Sequence, residues 1–246
     1  MRIAVISDMH GNLVAFDAVL ADLTAHEAVD RVVCLGDAIQ GGPQPADCVQ
    51  RLRELDCPVV MGNADAWLLT GEETDPERPA SQELIDVRAW SLSQLSDADK
   101  AFIGTFQPTI TFPLNDKLNL LCFHGTPQSF DQLILPNMPQ DEFEAMIKDY
   151  AANILTGGHT HTQQLRRIGA GHTFFFNPGS VGRAFSHNQP AGQFLYDPWA
   201  DYAVLSAEGD RLSLEFRRVP FDVEQVKQIY RASSRPHSDV AISQYA

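Results

Sequence analysis

Hydrophobic residues in the first quarter of the chain alternate between short continuous runs and stripes at helical spacing. Residues 2–7 form an apolar run that predicts a buried strand, and Asn12 is placed to cap a helix after it. The rhythm continues with a strand at 31–35, a helix that ends at Leu55 and a strand at 58–61. Such units join through right-handed crossovers, so the pattern predicts an α/β domain with a mostly parallel sheet.

The rhythm changes in the middle of the chain. Residues 67–107 combine a polar, proline-containing loop with two helically spaced segments, at 81–95 and 97–106, and we interpret them as a helical insert rather than a separate domain. Further strands are predicted at 117–123, 153–155, 164–168 and 172–176. A strand hairpin and a closing helix occupy 201–232, and the tail after Ser233 is expected to fray.

Composition bounds the class of protein. The 246 residues are 44% hydrophobic and 20% charged, which is ordinary for one large globular domain that spans 1–246. No apolar run is long enough to span a bilayer, and the first strand is too short for a signal peptide. The four cysteines form no Cys-x-x-Cys pair, so we expect reduced thiols and a cytoplasmic protein.

The formal net charge of −14 disfavours a nucleic-acid backbone or an anionic membrane as the main partner. It does not exclude a small anionic substrate, because bound metal ions can reverse the sign of the potential locally. The oligomeric state stays open, and a homo-oligomer is compatible with the composition.

Oxygen and imidazole donors recur where the apolar runs end. The five clusters are Asp8-x-His10, Gly36-Asp37, Gly62-Asn63, His124-Gly125 and Gly158-His159-x-His161. Each has an ordinary alternative, such as a turn-forming Asp or Asn or a structural His. Their shared place at strand exits favours convergence on one metal site instead, since strand ends hold side chains rigidly and imidazole suits Mn, Fe, Zn or Ni.

The ordered set of clusters resembles the calcineurin-like metallophosphoesterase superfamily, and Asn177-Pro178-Gly179-Ser180-Val181-Gly182 resembles its small prokaryotic YfcE-like phosphodiesterase branch. The resemblance implies a four-layer α-β-β-α sandwich with two divalent metal ions, of which manganese is favoured over iron, zinc or nickel. It implies that the first metal is held by Asp8, His10 and His161, the second by Asn63, His124 and His159, and that Asp37 bridges them.

The implied activity is hydrolysis of a small phosphoester, a phosphodiester in preference to a phosphomonoester, by in-line attack of a hydroxide between the metals. Asp37, Asn63 and His10 are the catalytic candidates, and Arg183 and His187 are candidate contacts of the substrate phosphate. The alternative function is a non-catalytic scaffold on the same fold, which would be expected to lose ligands. An amidohydrolase-type enzyme would be expected to carry His-x-His on its first strand, where this chain has Asp-x-His.

One position departs from the larger enzymes of that superfamily. Their Gly-Asn-His motif supplies a proton donor for the leaving group, whereas this chain has Gly62-Asn63-Ala64. We therefore expect His10 or water to protonate the leaving group, or a substrate whose leaving group needs little help. Asp65, the next residue, is open to two interpretations: a helix cap, or a residue that orients a ligand.

Overall fold

The computed structural model describes the chain except residues 27, 73–78, 170–172, 191, 193, 210 and 246. Its strands are β1 (Arg2–Ile6), β2 (Arg31–Cys34), β3 (Ile110–Pro113), β4 (Asn119–Cys122), β5 (Ile154–Thr156), β6 (Gln164–Arg167), β7 (Phe174–Asn177), β8 (Trp199–Glu208) and β9 (Arg211–Pro220). Its helices are α1 (Leu13–His26), α2 (Pro45–Leu55), α3 (Asn63–Thr70), α4 (Gln82–Gln94), α5 (Asp97–Ile103), α6 (Gln140–Ile147), α7 (Val223–Ala232) and α8 (Ser238–Ser243).

The strands form two mixed sheets, in the orders β2-β1-β8-β9 and β3-β4-β5-β7-β6. The expectation of a mostly parallel sheet is wrong. Although β1 pairs with β2 in parallel, the hairpin of β8 and β9 lies antiparallel beside β1. In the second sheet β4, β5 and β7 are parallel, and both edge strands are antiparallel to their neighbours. The sheets are mixed because neighbouring strands along the chain form hairpins: β3 pairs with β4, β6 with β7 and β8 with β9, and strands joined in this way run antiparallel.

Strand β1 shows why its run of apolar residues is continuous. Ile3 and Val5 lie in the core between the two sheets, whereas Ala4 and Ile6 lie in the core under α1 and α2. Both faces of the strand are therefore buried. On the far side, Phe143 of α6 belongs to a third cluster on the outer face of the second sheet. The layers are helices, sheet, sheet and helix, which confirms the predicted α-β-β-α sandwich.

Four parts of the chain differ from the pattern-based expectation. Residues 58–61 form no strand. They make two isolated bridges, Cys34↔Val59 and Val60↔Gln107, because only one residue pairs with each neighbouring segment before the chain turns away. β3 and α6 were not predicted. The C-terminal tail does not fray: α8 follows α7, and Tyr245, only 5% exposed, packs against Tyr196 and Tyr230.

Residues 67–107 contain the end of α3 together with α4 and α5, and their description as an insert stays a prediction. Ser81 caps α4 by accepting a hydrogen bond from the Leu84 amide, and Ser96 caps α5 in a capping box. Trp90 Nε1 donates to Ser234 Oγ at 3.0 Å, which joins α4 to the C-terminal segment.

The four cysteines are free, as expected. Among the described residues, no helix is both long and apolar enough to cross a membrane.

Candidate metal centre

The predicted ligands share an uncommon backbone conformation. Asp8, His10, Asp37, His159 and His161 all have positive φ, between 48° and 67°. Side chains other than glycine rarely adopt this left-handed region, although Asp and His enter it more readily than most. Neighbouring loops hold the conformation in place, since the amide of Asp8 donates to the Gly36 carbonyl at 3.0 Å and that of His10 to the Asp37 carbonyl at 2.9 Å. The strained turns aim these side chains into one region.

The first group of ligand atoms comprises Asp8, His10 and His161, whose donor atoms all lie within 4.8 Å of one another. The Nε2 atoms of His10 and His161 are 3.0 Å apart, and His161 Nε2 is 3.3 Å from Asp8 Oδ1. Two imidazole nitrogens and a carboxylate oxygen thus converge from the exits of β1 and β5.

The second group comprises Asp37, His124 and His159, again within 4.8 Å. Asn63 joins it, because its Oδ1 lies 3.0 Å from His124 Nε2. Asp37 Oδ2 is 3.3 Å from His124 Nε2 and 3.8 Å from His10 Nε2 of the first group. A single carboxylate oxygen therefore faces both groups, which is the position that a bridging ligand requires.

Backbone carbonyls fix which nitrogen of each histidine faces the site. Because a carbonyl only accepts, the ring nitrogen beside it carries a proton, and in the neutral form of the ring the opposite nitrogen is left with a lone pair. The four contacts are His10 Nδ1 to Gln40 O (2.9 Å), His124 Nδ1 to Leu35 O (2.8 Å), His161 Nδ1 to Arg183 O (2.9 Å) and His159 Nε2 to Asp131 O (3.1 Å). The lone pairs of the neutral rings are thereby available to metal ions.

The charges in the centre depend on one another. Burial disfavours ionisation of Asp37, yet His124 beside it lowers the pKa of that carboxyl well below its usual value. Burial likewise opposes protonation of His124, but Asp37 outweighs it and raises the pKa of His124 to about 10. Burial, with the nearby charge of Arg183, lowers the pKa of His10 to about 3.

The donor set fits a pair of divalent cations. Asp8 is fully buried, and its Oδ1 accepts no hydrogen bond from any described residue, which is costly for a carboxylate oxygen in the interior. A cation would satisfy this oxygen. Carboxylate, amide and imidazole donors together suit Mn, Fe, Zn or Ni.

Asp65 supports the centre from behind. Its two oxygens accept hydrogen bonds from the Ala38 and Ile39 amides, each at 3.0 Å, so it holds the backbone that directly follows Asp37. Burial and the proximity of Asp37 raise the pKa of Asp65 to about 7. Of the two interpretations from sequence, the contacts favour the one in which Asp65 positions a ligand.

The loop at 177–182 holds two of the ligand loops. Asn177 Nδ2 donates to the Gly158 carbonyl at 2.6 Å, and Ser180 Oγ donates to the Asp8 carbonyl at 2.8 Å. A Cβ at Gly182 would lie 1.9 Å from the Met9 carbonyl oxygen, so this close approach requires glycine. The loop thus holds the backbone of the ligand loops, through the Asn177 and Ser180 side chains and the close approach of Gly182.

A cleft of about 700 Å³ opens over the centre. Its wall includes His10, Asn63, Ala64 and the predicted substrate contact Arg183. His187 is not among the described residues that line it: its Nε2 lies 2.9 Å from the Thr160 carbonyl and its ring packs on Phe185.

Sequence reasoning missed Gln40 and Arg235, which also line this cleft together with Trp67. Arg235 lies in the tail expected to fray, and only Tyr230 and Tyr245 beside it hint at a packed segment. Arg88 does not have such a place in the described part of the cleft wall. It donates through Nε to the carbonyls of Trp67 and Leu68 and thus caps the end of α3.

Comparison with known proteins agrees with this geometry. The model of the calcineurin-like phosphoesterase superfamily domain matches residues 1–197, which confirms the resemblance carried by the ligand motifs. An uncharacterized protein of Methanocaldococcus jannaschii is 25% identical over 238 residues, 91% of this chain and 89% of the relative.

Two crystal structures share the fold over nearly the whole chain. A metallophosphoesterase from Sphaerobacter thermophilus has a TM-score of 0.72 at 24% identity, covering 99% of this chain and 98% of its own. A hypothetical protein from Pyrococcus horikoshii has a TM-score of 0.82 at 17% identity, covering 99% and 97%.

Proposed function

The chain belongs to the calcineurin-like phosphoesterase superfamily, and we propose that it is a dinuclear metal-dependent phosphoesterase that prefers phosphodiesters to phosphomonoesters. The observation that carries the proposal is the meeting of two ligand groups at Asp37, beside a cleft that His10 and Asn63 line. A single-metal site would need only one of these groups.

Seven residues would hold the two ions, with Asp37 shared. The first set is Asp8, His10 and His161, and the second is Asn63, His124 and His159. When bound, a metal pair polarises phosphoryl oxygens and lowers the pKa of water in the site. Manganese is our first choice, with iron, zinc and nickel as alternatives.

The protein's own part is positioning and charge. Only Asp8 and Asp37 bring negative charge to the ligand set, so two divalent cations leave the centre positive and able to attract a phosphate. Arg183 adds a further positive charge to the cleft wall. The fixed, left-handed ligand turns keep this charge in place before the substrate arrives, which reduces reorganisation during the reaction.

Among the described residues of the cleft, few side chains are suited to protonate the leaving group. Ala64 lines the cleft and offers no proton. In its neutral form His10 carries its proton on Nδ1, where the Gln40 carbonyl accepts it, so His10 suits the role of ligand better than that of acid. We infer that water protonates the leaving group and that substrates with acidic leaving groups react fastest.

The test is metal analysis followed by hydrolysis of bis-p-nitrophenyl phosphate and p-nitrophenyl phosphate with added Mn²⁺. We expect about two metal ions per chain, a higher rate on the diester, and loss of both metal and activity in Asp37→Asn. Asp97→Asn is the matched control, because the Asp97 side chain is fully exposed. A metal-replete protein that is inactive on both esters and indistinguishable from Asp37→Asn would favour the scaffold function instead.

A further inference from the structure

Two arginines lie together in the cleft wall beside the first metal group. Arg235 Nε donates to the Gly41 carbonyl at 2.9 Å. A Cβ at Gly41 would lie 2.7 Å from a terminal nitrogen of Arg183, so this guanidinium packs against the same glycine. The residue before it, Gln40, accepts the hydrogen bond from His10. One short segment of backbone therefore places both guanidinium groups next to the metal ligands.

Aromatic rings hold these two charges without neutralising them. Arg183 lies 5.7 Å from the centroid of the Tyr196 ring, and Arg235 lies 5.3 Å from that of Tyr230. Over the described part of the chain, neither arginine has a carboxylate within ion-pair distance, and the three carboxylates that line the same cleft, Glu72, Glu83 and Asp131, lie farther away. In a protein of net charge −14, two adjacent cations without an acidic partner are a marked exception.

Gln40 gives a second and independent indication of a ligand. Gln40 lines the cleft and is only 4% exposed, yet neither Nε2 nor Oε1 of its buried amide has a hydrogen-bond partner among the described residues. A buried amide without partners costs about 1–3 kcal/mol for each unsatisfied group. A polar ligand held between Gln40 and the arginines would satisfy it.

We propose that Gln40, Arg183 and Arg235 form a subsite for a second phosphate group of the substrate, an inference that rests on the proposed phosphoesterase function. Guanidinium groups match phosphate oxygens with paired N–H donors, and an amide N–H can complete the shell. Trp67 and Val87 provide an apolar stretch of wall in the same cleft. The substrate class is thus a small phosphoester with a second phosphate and an apolar or aromatic body.

The direct test is calorimetric titration of inorganic phosphate into the EDTA-treated protein. Without metals the acidic ligand set repels phosphate, so the arginine subsite is the place left for it. We expect measurable binding, weakened at least tenfold in Arg235→Gln and in Gln40→Leu. Arg231→Gln, an exposed arginine one turn earlier on α7, removes the same charge and should bind phosphate like the wild type. Melting curves of all variants identify any that fail to fold.

A second measurement links the subsite to the substrate. With Mn²⁺ present, adenosine 3′,5′-bisphosphate should inhibit bis-p-nitrophenyl phosphate hydrolysis at least tenfold more strongly than adenosine 5′-monophosphate, and Arg235→Gln should abolish this preference. Equal inhibition of the wild type by both nucleotides, or phosphate binding by Arg235→Gln equal to that of Arg231→Gln, would overturn the inference. If no ester is hydrolysed, the proposed function fails while the phosphate titration still decides the subsite.

Discussion

Replacement of Gly62 by alanine tests how closely the second metal group depends on packing. Gly62 has φ −90° and ψ 163°, which alanine adopts without backbone strain. A Cβ there would nevertheless lie 2.1 Å from Asp37 Oδ1 and 2.2 Å from the Asp37 amide nitrogen. Contacts under 3.0 Å are essentially never seen, and the second of these atoms is backbone that cannot rotate away.

The resulting shift of roughly 1 Å at the bridging ligand is enough to reduce the rate about 100-fold, and overpacking of this kind costs about 1–3 kcal/mol of unfolding free energy. We expect Gly62→Ala, after incubation with Mn²⁺, to hold fewer metal ions per chain by elemental analysis and to have a kcat/KM on bis-p-nitrophenyl phosphate lowered to that extent.

Gly104→Ala is the matched control. Gly104 also has negative φ, −62°, and a Cβ there would meet nothing closer than the Ala101 carbonyl oxygen at 3.3 Å. If Gly62→Ala equalled Gly104→Ala in metal content and in kcat/KM, the steric argument would be refuted.

Three further predictions follow from single features of the structure. Ala64→His should raise the rate on esters with poor leaving groups at least tenfold relative to p-nitrophenyl esters, since an acid is restored beside Asn63; equal effects on both would contradict the missing-acid account. Manganese at about 100 times its dissociation constant should stabilise the EDTA-treated protein by about 2.7 kcal/mol, seen as a rise in Tm that Asp37→Asn lacks. Burial raises the pKa of Asp201 to about 7 against the opposing charge of Arg218, so the folded protein binds a proton more tightly than the unfolded chain. The contribution of Asp201 to the unfolding free energy should therefore fall as the pH rises from about 4 to 7, and in urea titrations Asp201→Asn should lower the stability at pH 5 relative to the wild type more than at pH 8.

The convergence of the candidate metal ligands was predictable because their signal is local. Asp8, Asp37 and His124 each follow an apolar run within a few residues, and the carboxyl ends of the parallel strands β1 and β2 meet at one edge. The order of the motifs then identified the superfamily. What the sequence did not reveal is how the ligand turns are held, because hydrogen bonds such as those that Ser180 donates to Asp8 and Asp65 accepts from Ala38 join residues that are distant along the chain.

The substrate side of the cleft was harder to predict for a physical reason. Arg235 is placed by the packing of Tyr230 of α7 and Tyr245 in a C-terminal cluster, and a single tyrosine in the polar tail after Ser233 carries no helical or strand period. Gln40 follows a ligand loop in which any polar residue looks like part of a turn. Residues that bind substrate through tertiary packing leave no spacing rule in the sequence, whereas residues at strand ends do.

Under the proposed function, the contrast between the acidic chain and the two adjacent arginines of the cleft wall would let the protein select anions. The net charge of −14 repels phosphoesters at long range, but salt screens this field within about 10 Å at 0.1 M ionic strength. Inside the cleft, Arg183 and Arg235 lie among tyrosine rings and away from bulk water, where a charge acts more strongly. Selectivity then rests on a few buried groups whose positions are fixed by Gly41 and the ligand turns. A compound with one phosphate would engage the metal pair or the arginines, and only a compound with two phosphates at the right separation would engage both.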